Sequence, residues 1–111
     1  LPLPTISDVQ LSSYNFVPGS EIEISWNSTN QEEYVVYLYD DSTNSLVSDI
    51  ACPNGAFHPI LGNACLLHGS STDTSIKWNV PWILPSGQYM FKVAVGNGSG
   101  WSDAIPKLCE I

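Results

Sequence analysis

Eleven carboxylates, two histidines and three cysteines are the groups in this 111-residue chain that could do chemistry. A nucleophilic triad needs a serine on an activating turn, with a histidine and an acid in reach. His58 and His68 both fall in one stretch rich in Pro, Gly and Asn, and no Gly-x-Ser-x-Gly occurs. They read as loop histidines in solvent or bonded to backbone. Glycoside hydrolysis needs two carboxylates facing each other across a cleft. Asp40 and Asp41 are adjacent in a turn and diverge, Glu21 and Glu23 share one strand face, and Glu32-Glu33 opens another strand. These acids read as a solvated surface. Asp40, Asp41 and Asn44 fall short of the oxygen count that a calcium loop supplies. There is no Cys-x-x-Cys for zinc. The expectation is a non-enzymatic chain with no metal and no cofactor.

Sugar binding stays open. Sugars stack their C–H faces on flat aromatic rings, and neighbouring amides and acids bond their hydroxyls. Trp82 follows Pro81 in a crossing between strands, and Trp101 follows a Gly-rich turn. Tyr37 and Tyr39 share one face of a strand that is apolar on both sides. These four are the candidate ligand-binding residues. Trp26 and Trp78 alternate with polar neighbours and are expected in the core.

Cys52 and Cys65 bracket a Pro-, Gly-, Asn- and His-containing segment. A disulfide between them would tether that loop, worth about 3 kcal/mol on the chain-entropy account. Cys109 lies in the last apolar run and has three readings. It is a buried free thiol, an intermolecular bridge that makes a dimer, or half of a pair whose partner lies outside this sequence.

Charged residues make up only 13% of the chain, against roughly 25% for ordinary globular proteins. Net charge is −8, with three lysines and no arginine. Phosphate surfaces need clustered Lys or Arg, so nucleic acid and anionic membrane surfaces are poor partner candidates. No apolar run reaches the ~20 residues of a membrane-spanning helix. Asn27-Ser28-Thr29 and Asn97-Gly98-Ser99 are N-glycosylation triplets. With the low charge and the cysteine pattern they predict a secreted, extracellular protein, and the opening Leu1-Pro2-Leu3-Pro4 reads as a processed or a trimmed terminus.

The elements that must carry these residues are strands. Ser20 to Asn27 alternates cleanly, with Ile22, Ile24 and Trp26 on one face and Glu21, Glu23 and Ser25 on the other. Further strands are expected over Ile6–Leu11, Tyr34–Tyr39, Leu46–Ala51, Ser75–Val80, Gln88–Gly96 and Trp101–Ile111. Pro106 marks the last as an edge or bulge. Pro18-Gly19 is a turn, and Asn97-Gly98-Ser99-Gly100 a hairpin. Seven strands in one domain spanning residues 1–111 predict an all-β, antiparallel immunoglobulin-like or fibronectin type III-like sandwich. Tyr89, after Leu84-Pro85-Ser86-Gly87, is placed like a tyrosine corner.

Pro18-Gly19-Ser20, Ile22 to Trp26, Trp78-Asn79-Val80-Pro81, Leu84 to Tyr89 and Gly100-Trp101-Ser102-Asp103 occur in that order. So arranged, the chain resembles the N-terminal domain of yeast cell-wall synthesis proteins of the Kre9/Knh1 type. The same module occurs in fungal Ser/Thr-rich, lipid-anchored surface proteins. The resemblance implies a secreted fungal cell-wall protein linked to β-glucan assembly, with no catalytic residues to carry over. The chain ends at its last strand, without a Ser/Thr-rich stalk or apolar tail, which favours a diffusible form. The Cys52–Cys65 loop is not part of the shared pattern. Two partners follow as expectations: cell-wall β-glucan, or a host or surface protein bound in the manner of an effector or elicitor.

Overall fold

The alternation in the second strand shows how the sandwich is built. In the computed structural model, β2 (Glu21–Thr29) buries Ile22, Ile24 and Trp26 while Glu21, Glu23 and Asn27 stay exposed. The structure describes residues 2–43, 45–46, 57–58, 62–63, 66–69, 71–80, 82 and 84–111. The expected Cys52–Cys65 pairing lies outside those residues.

β2 is flanked by β1 (Thr5–Leu11) and β8 (Ser75–Asn79), both antiparallel to it. The second sheet centres on β3 (Glu33–Asp40) and β9 (Gln88–Asn97), paired without a register break from Glu33↔Gly96 to Asp40↔Tyr89. β11 (Ile105–Glu110) and the short β10 (Gly100–Trp101) continue it beyond β9. Beyond β3 it is extended by β4 (Ser45–Leu46) and β7 (Leu66–Gly69). A separate ribbon pairs β5 (Phe57–His58) with β6 (Gly62–Asn63). Among the described residues seven strands have four residues or more, all pairings within the two sheets are antiparallel, and no helix occurs. This is the expected all-β sandwich.

One expected loop and one expected strand need correction. β7 pairs with β3 from within the stretch expected to be loop; of the expected fourth strand Leu46 pairs Tyr39, and residues 47–51 lie outside the described residues. The last strand is broken. Trp101 pairs Gly96 and Ile105 pairs Val93, so one extra residue bulges between β10 and β11. The cause is Ser102, whose Oγ accepts the Val95 N–H at 3.0 Å while its own N–H bonds the Val95 carbonyl. Pro106 sits on the edge strand as expected. Glu110 turns its backbone outward, to Tyr14 and Phe16. By alternation Pro106 also turns outward, so its missing N–H costs no bond to β9.

The core lies between the sheets. Phe91 meets Trp78 edge-on, with centroids 5.3 Å apart, and Phe16 closes the group at 5.8 Å from Phe91. Trp26 packs on Tyr34 at 5.4 Å. Its indole N–H donates to Gln31 Oε1 at 3.0 Å, and Gln31 is itself buried. The Gln31 amide nitrogen donates to the Ser71 and Asp73 carbonyls, and Ser28 Oγ donates to Gln31 Oε1. One buried amide thus ties the β2–β3 turn to the approach to β8. The tyrosine corner is present, with the Tyr89 hydroxyl donating to the Pro85 carbonyl at 2.7 Å.

Candidate functional site

Among the described residues Trp82 is the most exposed of the large apolar side chains, with 80% of its surface open to solvent. Its position is built by a turn far away in sequence. Pro18 fixes φ, Gly19 takes φ 83°, and the Ser20 N–H bonds the Val17 carbonyl at 3.0 Å, the signature of a type II turn. The Gly19 N–H then bonds the Val80 carbonyl at 2.7 Å, and the Val80 N–H bonds the Ser20 carbonyl. This brings Gly19 beneath the crossing that follows β8. A side-chain carbon on Gly19 would collide with Trp82 at Cζ2 and Cε2. The indole therefore rests on the bare glycine backbone and leaves most of its surface to solvent. Val17 in the same turn is 67% exposed, and Glu21 and Asn79 face each other one step along the sheet, both exposed.

The other three candidate aromatics sit differently. Trp101 is half-buried on the outer face of the second sheet, where it covers Gly96. A Cβ on Gly96 would come within 2.8 Å of its Cδ2. Tyr37 is buried, with Val35 and Ala94, in a second cluster on that outer face. Burial, with Tyr39 nearby, pushes its hydroxyl up to about 12. This corrects the expectation that Tyr37 offers a surface ring. Tyr39 is half-buried, and Lys92 Nζ lies 4.3 Å from its ring centroid, a cation–π contact that occupies the ring face. The structure therefore brings Tyr37, Tyr39 and Trp101 into one outer-face cluster and leaves Trp82 apart, on the Gly19 turn.

Cys109 is buried in the inter-sheet core, and burial pushes its thiol up to about 12. The buried-thiol reading fits this, and a bridge between two chains does not, because its sulfur faces Tyr89 and the core rather than solvent. Tyr89 is raised by burial first, then by Asp40 and Cys109. Asp40 is lowered because the Ser42 hydroxyl and backbone N–H both donate to it. Its carboxylate caps a turn. Glu32 likewise accepts the Gly98 N–H at 3.0 Å.

The two glycosylation triplets part company. Asn27 is exposed, and its Nδ2 donates to Asp8 Oδ2 at 3.0 Å. Asn97 is buried, and its Nδ2 donates to both the Pro2 and Asn30 carbonyls. The expectation of a glycan at Asn97 is thus opposed by the packing around it.

The chain shares this architecture with solved structures. It superposes on the crystal structure of FN3tt with a TM-score of 0.60 at 14% identity, covering 99% of this chain and 96% of that one. A mutant form, FN3tt mut, matches with a TM-score of 0.58 at 15% identity over 96% and 94%. The crystal structure of the chicken CNTN1 FN1–FN3 domains matches at 0.56 and 17% identity, covering 99% of this chain and 31% of that one.

The fold is that of a fibronectin type III domain.

No protein-family profile matches the chain, and no curated protein sequence does. At these identities the likeness carries fold and no further. Local pattern does not report the roles of Gly19, which holds the site, or Gln31, which holds the core around Trp26. Gly19 was visible as a turn residue, and nothing local pointed to the indole resting on it. Gln31 looks like any polar loop residue until Trp26 is placed.

Proposed function

We propose that this fibronectin type III-like domain is a secreted, non-enzymatic surface module that binds or organises β-glucan, with Trp82 as the stacking platform. One observation carries the reading: the Trp82 indole is held on Gly19 with 80% of its surface open to solvent. An apolar ring of that size is normally buried, and leaving it in water gives up a few kcal/mol that a ligand can recover. Flat aromatic surface is what the C–H faces of a sugar stack on. Exposed Glu21 and Asn79 at the same end supply groups for hydroxyls. A net charge of −8 suits a neutral glucan better than an anionic polymer. Domains of this fold typically serve as binding or scaffold modules rather than catalysts, which fits the non-enzymatic part. The fungal cell-wall setting rests on the sequence resemblance alone.

Calorimetry with soluble β-1,3- and β-1,6-glucan tests the proposal. Binding that falls at least tenfold in Trp82→Ala supports it, and no binding by the parent protein removes it.

A second reading, a secreted effector-like domain that docks on a protein, is favoured by a different surface. Leu108 is 56% exposed, and cross-strand pairing sets it in one row with Met90 and Tyr39 on the outer face of β11, β9 and β3. If this is the working surface, Leu108→Ser abolishes partner binding and Trp82→Ala does not.

A further inference from the structure

The two Asn-x-Ser/Thr triplets differ at the atom that glycosylation uses. The transfer joins the asparagine Nδ2 to C1 of an N-acetylglucosamine. The bond from C1 to the oxygen of a lipid diphosphate carrier breaks, the carrier leaves as its diphosphate, and the amide gives up one proton. The product amide keeps a single N–H. A modified asparagine can therefore donate one hydrogen bond from Nδ2, and it needs room for a sugar ring.

Asn97 fails both conditions. Its Nδ2 spends two hydrogens, on the Pro2 carbonyl at 2.7 Å and the Asn30 carbonyl at 2.9 Å. Its Oδ1 accepts the Ser99 N–H at 2.8 Å. The side chain is 8% exposed and links the N-terminal segment, the β2–β3 turn and its own hairpin. A sugar there would break at least one of these bonds and displace what surrounds the amide. Asn27 meets both conditions. Its Nδ2 donates one bond, to Asp8 Oδ2, which leaves the second hydrogen for substitution. The residue is exposed and borders an open groove of about 410 Å³ on the outer face of the first sheet. Gln10, Glu23, Ser25, Thr74 and Ser75 line that groove with amide, carboxylate and hydroxyl groups suited to a sugar's hydroxyls.

We infer that Asn27 is the glycan-bearing position of this domain and that the fold excludes Asn97. The natural occurrence of the modification rests on the secreted reading, whereas the choice between the two sites rests on geometry alone. The experiment separates them by supplying a heterologous leader peptide in a yeast secretory host. The parent chain, Asn27→Gln, Thr29→Ala and Ser99→Ala are purified from the medium and weighed intact, before and after peptide N-glycosidase. Thr29→Ala destroys the first triplet while keeping the Asn27 amide, and Ser99→Ala destroys the second while keeping the backbone N–H that Asn97 Oδ1 accepts. The expected result is one glycan on the parent and on Ser99→Ala, and none on Asn27→Gln or Thr29→Ala. A parent without a glycan, or folded Thr29→Ala that still carries one, overturns the inference. Whether the protein is secreted by its own organism is a separate measurement, and its failure would leave this result standing.

Discussion

Gly19→Ala tests how Trp82 is held. Two costs follow from the structure. An alanine at φ 83° sits in the left-handed region, at about 1–2 kcal/mol. Its methyl also expels the Trp82 indole from its seat. Trp82 hides only a fifth of its surface, about 50 Å² of a large aromatic side chain, worth about 1 kcal/mol at ~25 cal/mol per Å². The sum, about 2–3 kcal/mol, lowers the Tm of a domain this size by roughly 10 °C. A thermal melt measures the total, and a double-mutant cycle with Trp82→Ala divides it. In the Trp82→Ala background the collision is gone, so Gly19→Ala should cost only the backbone strain, and the coupling energy should be about 1 kcal/mol. Equal costs in both backgrounds would refute the idea that the glycine serves as the seat of the indole.

Four further outcomes are expected. Tyr89→Phe removes the bond to the Pro85 carbonyl and should cost about 1 kcal/mol in urea unfolding, with the m-value unchanged. Gln31→Ala strips partners from the buried Trp26 N–H and from the Ser71 and Asp73 carbonyls. It should cost about 2–4 kcal/mol in the same assay, well above any exposed Gln→Ala control. The third concerns alkali. The folded state raises Cys109 from 9.0 to about 12 and Tyr37 from 10.0 to about 12, both chiefly through burial. Both groups are neutral when protonated, so folding favours the protonated form. Their contribution is intact below pH 9 and is lost as pH climbs from about 9 to 12, and circular dichroism should show unfolding in that window. At pH 7–8 the native Cys109 thiol should resist iodoacetamide and react once urea is added.

Much of the scaffold could be read from local pattern. Period-two alternation sets Ile22, Ile24 and Trp26 inward on β2, and β9 follows the same rule with Tyr89, Phe91, Val93 and Val95 in the core. Tyr89 was readable because a tyrosine corner has a fixed offset from the crossing before it. What could not be read were contacts between distant segments. Trp82 depends on Gly19, and Asn97 on Pro2 and Asn30, and no periodicity reports such pairs. Tyr37 misled because β3 is apolar on both faces, and pattern alone cannot say that the outer face is also buried. The last strand misled because a side chain, Ser102 Oγ, takes the place of a backbone acceptor and inserts a bulge.

The central claim is that an aromatic ring seated on glycine binds a neutral glucan. Its most direct test is titration of β-1,3- and β-1,6-glucan oligosaccharides into the parent protein and Trp82→Ala, followed by Trp fluorescence. Saturable quenching or enhancement is expected with the parent, and at least a tenfold weaker response with Trp82→Ala. A parent protein that gives no response to either glucan, or a Trp82→Ala variant that binds as well as the parent, would contradict it.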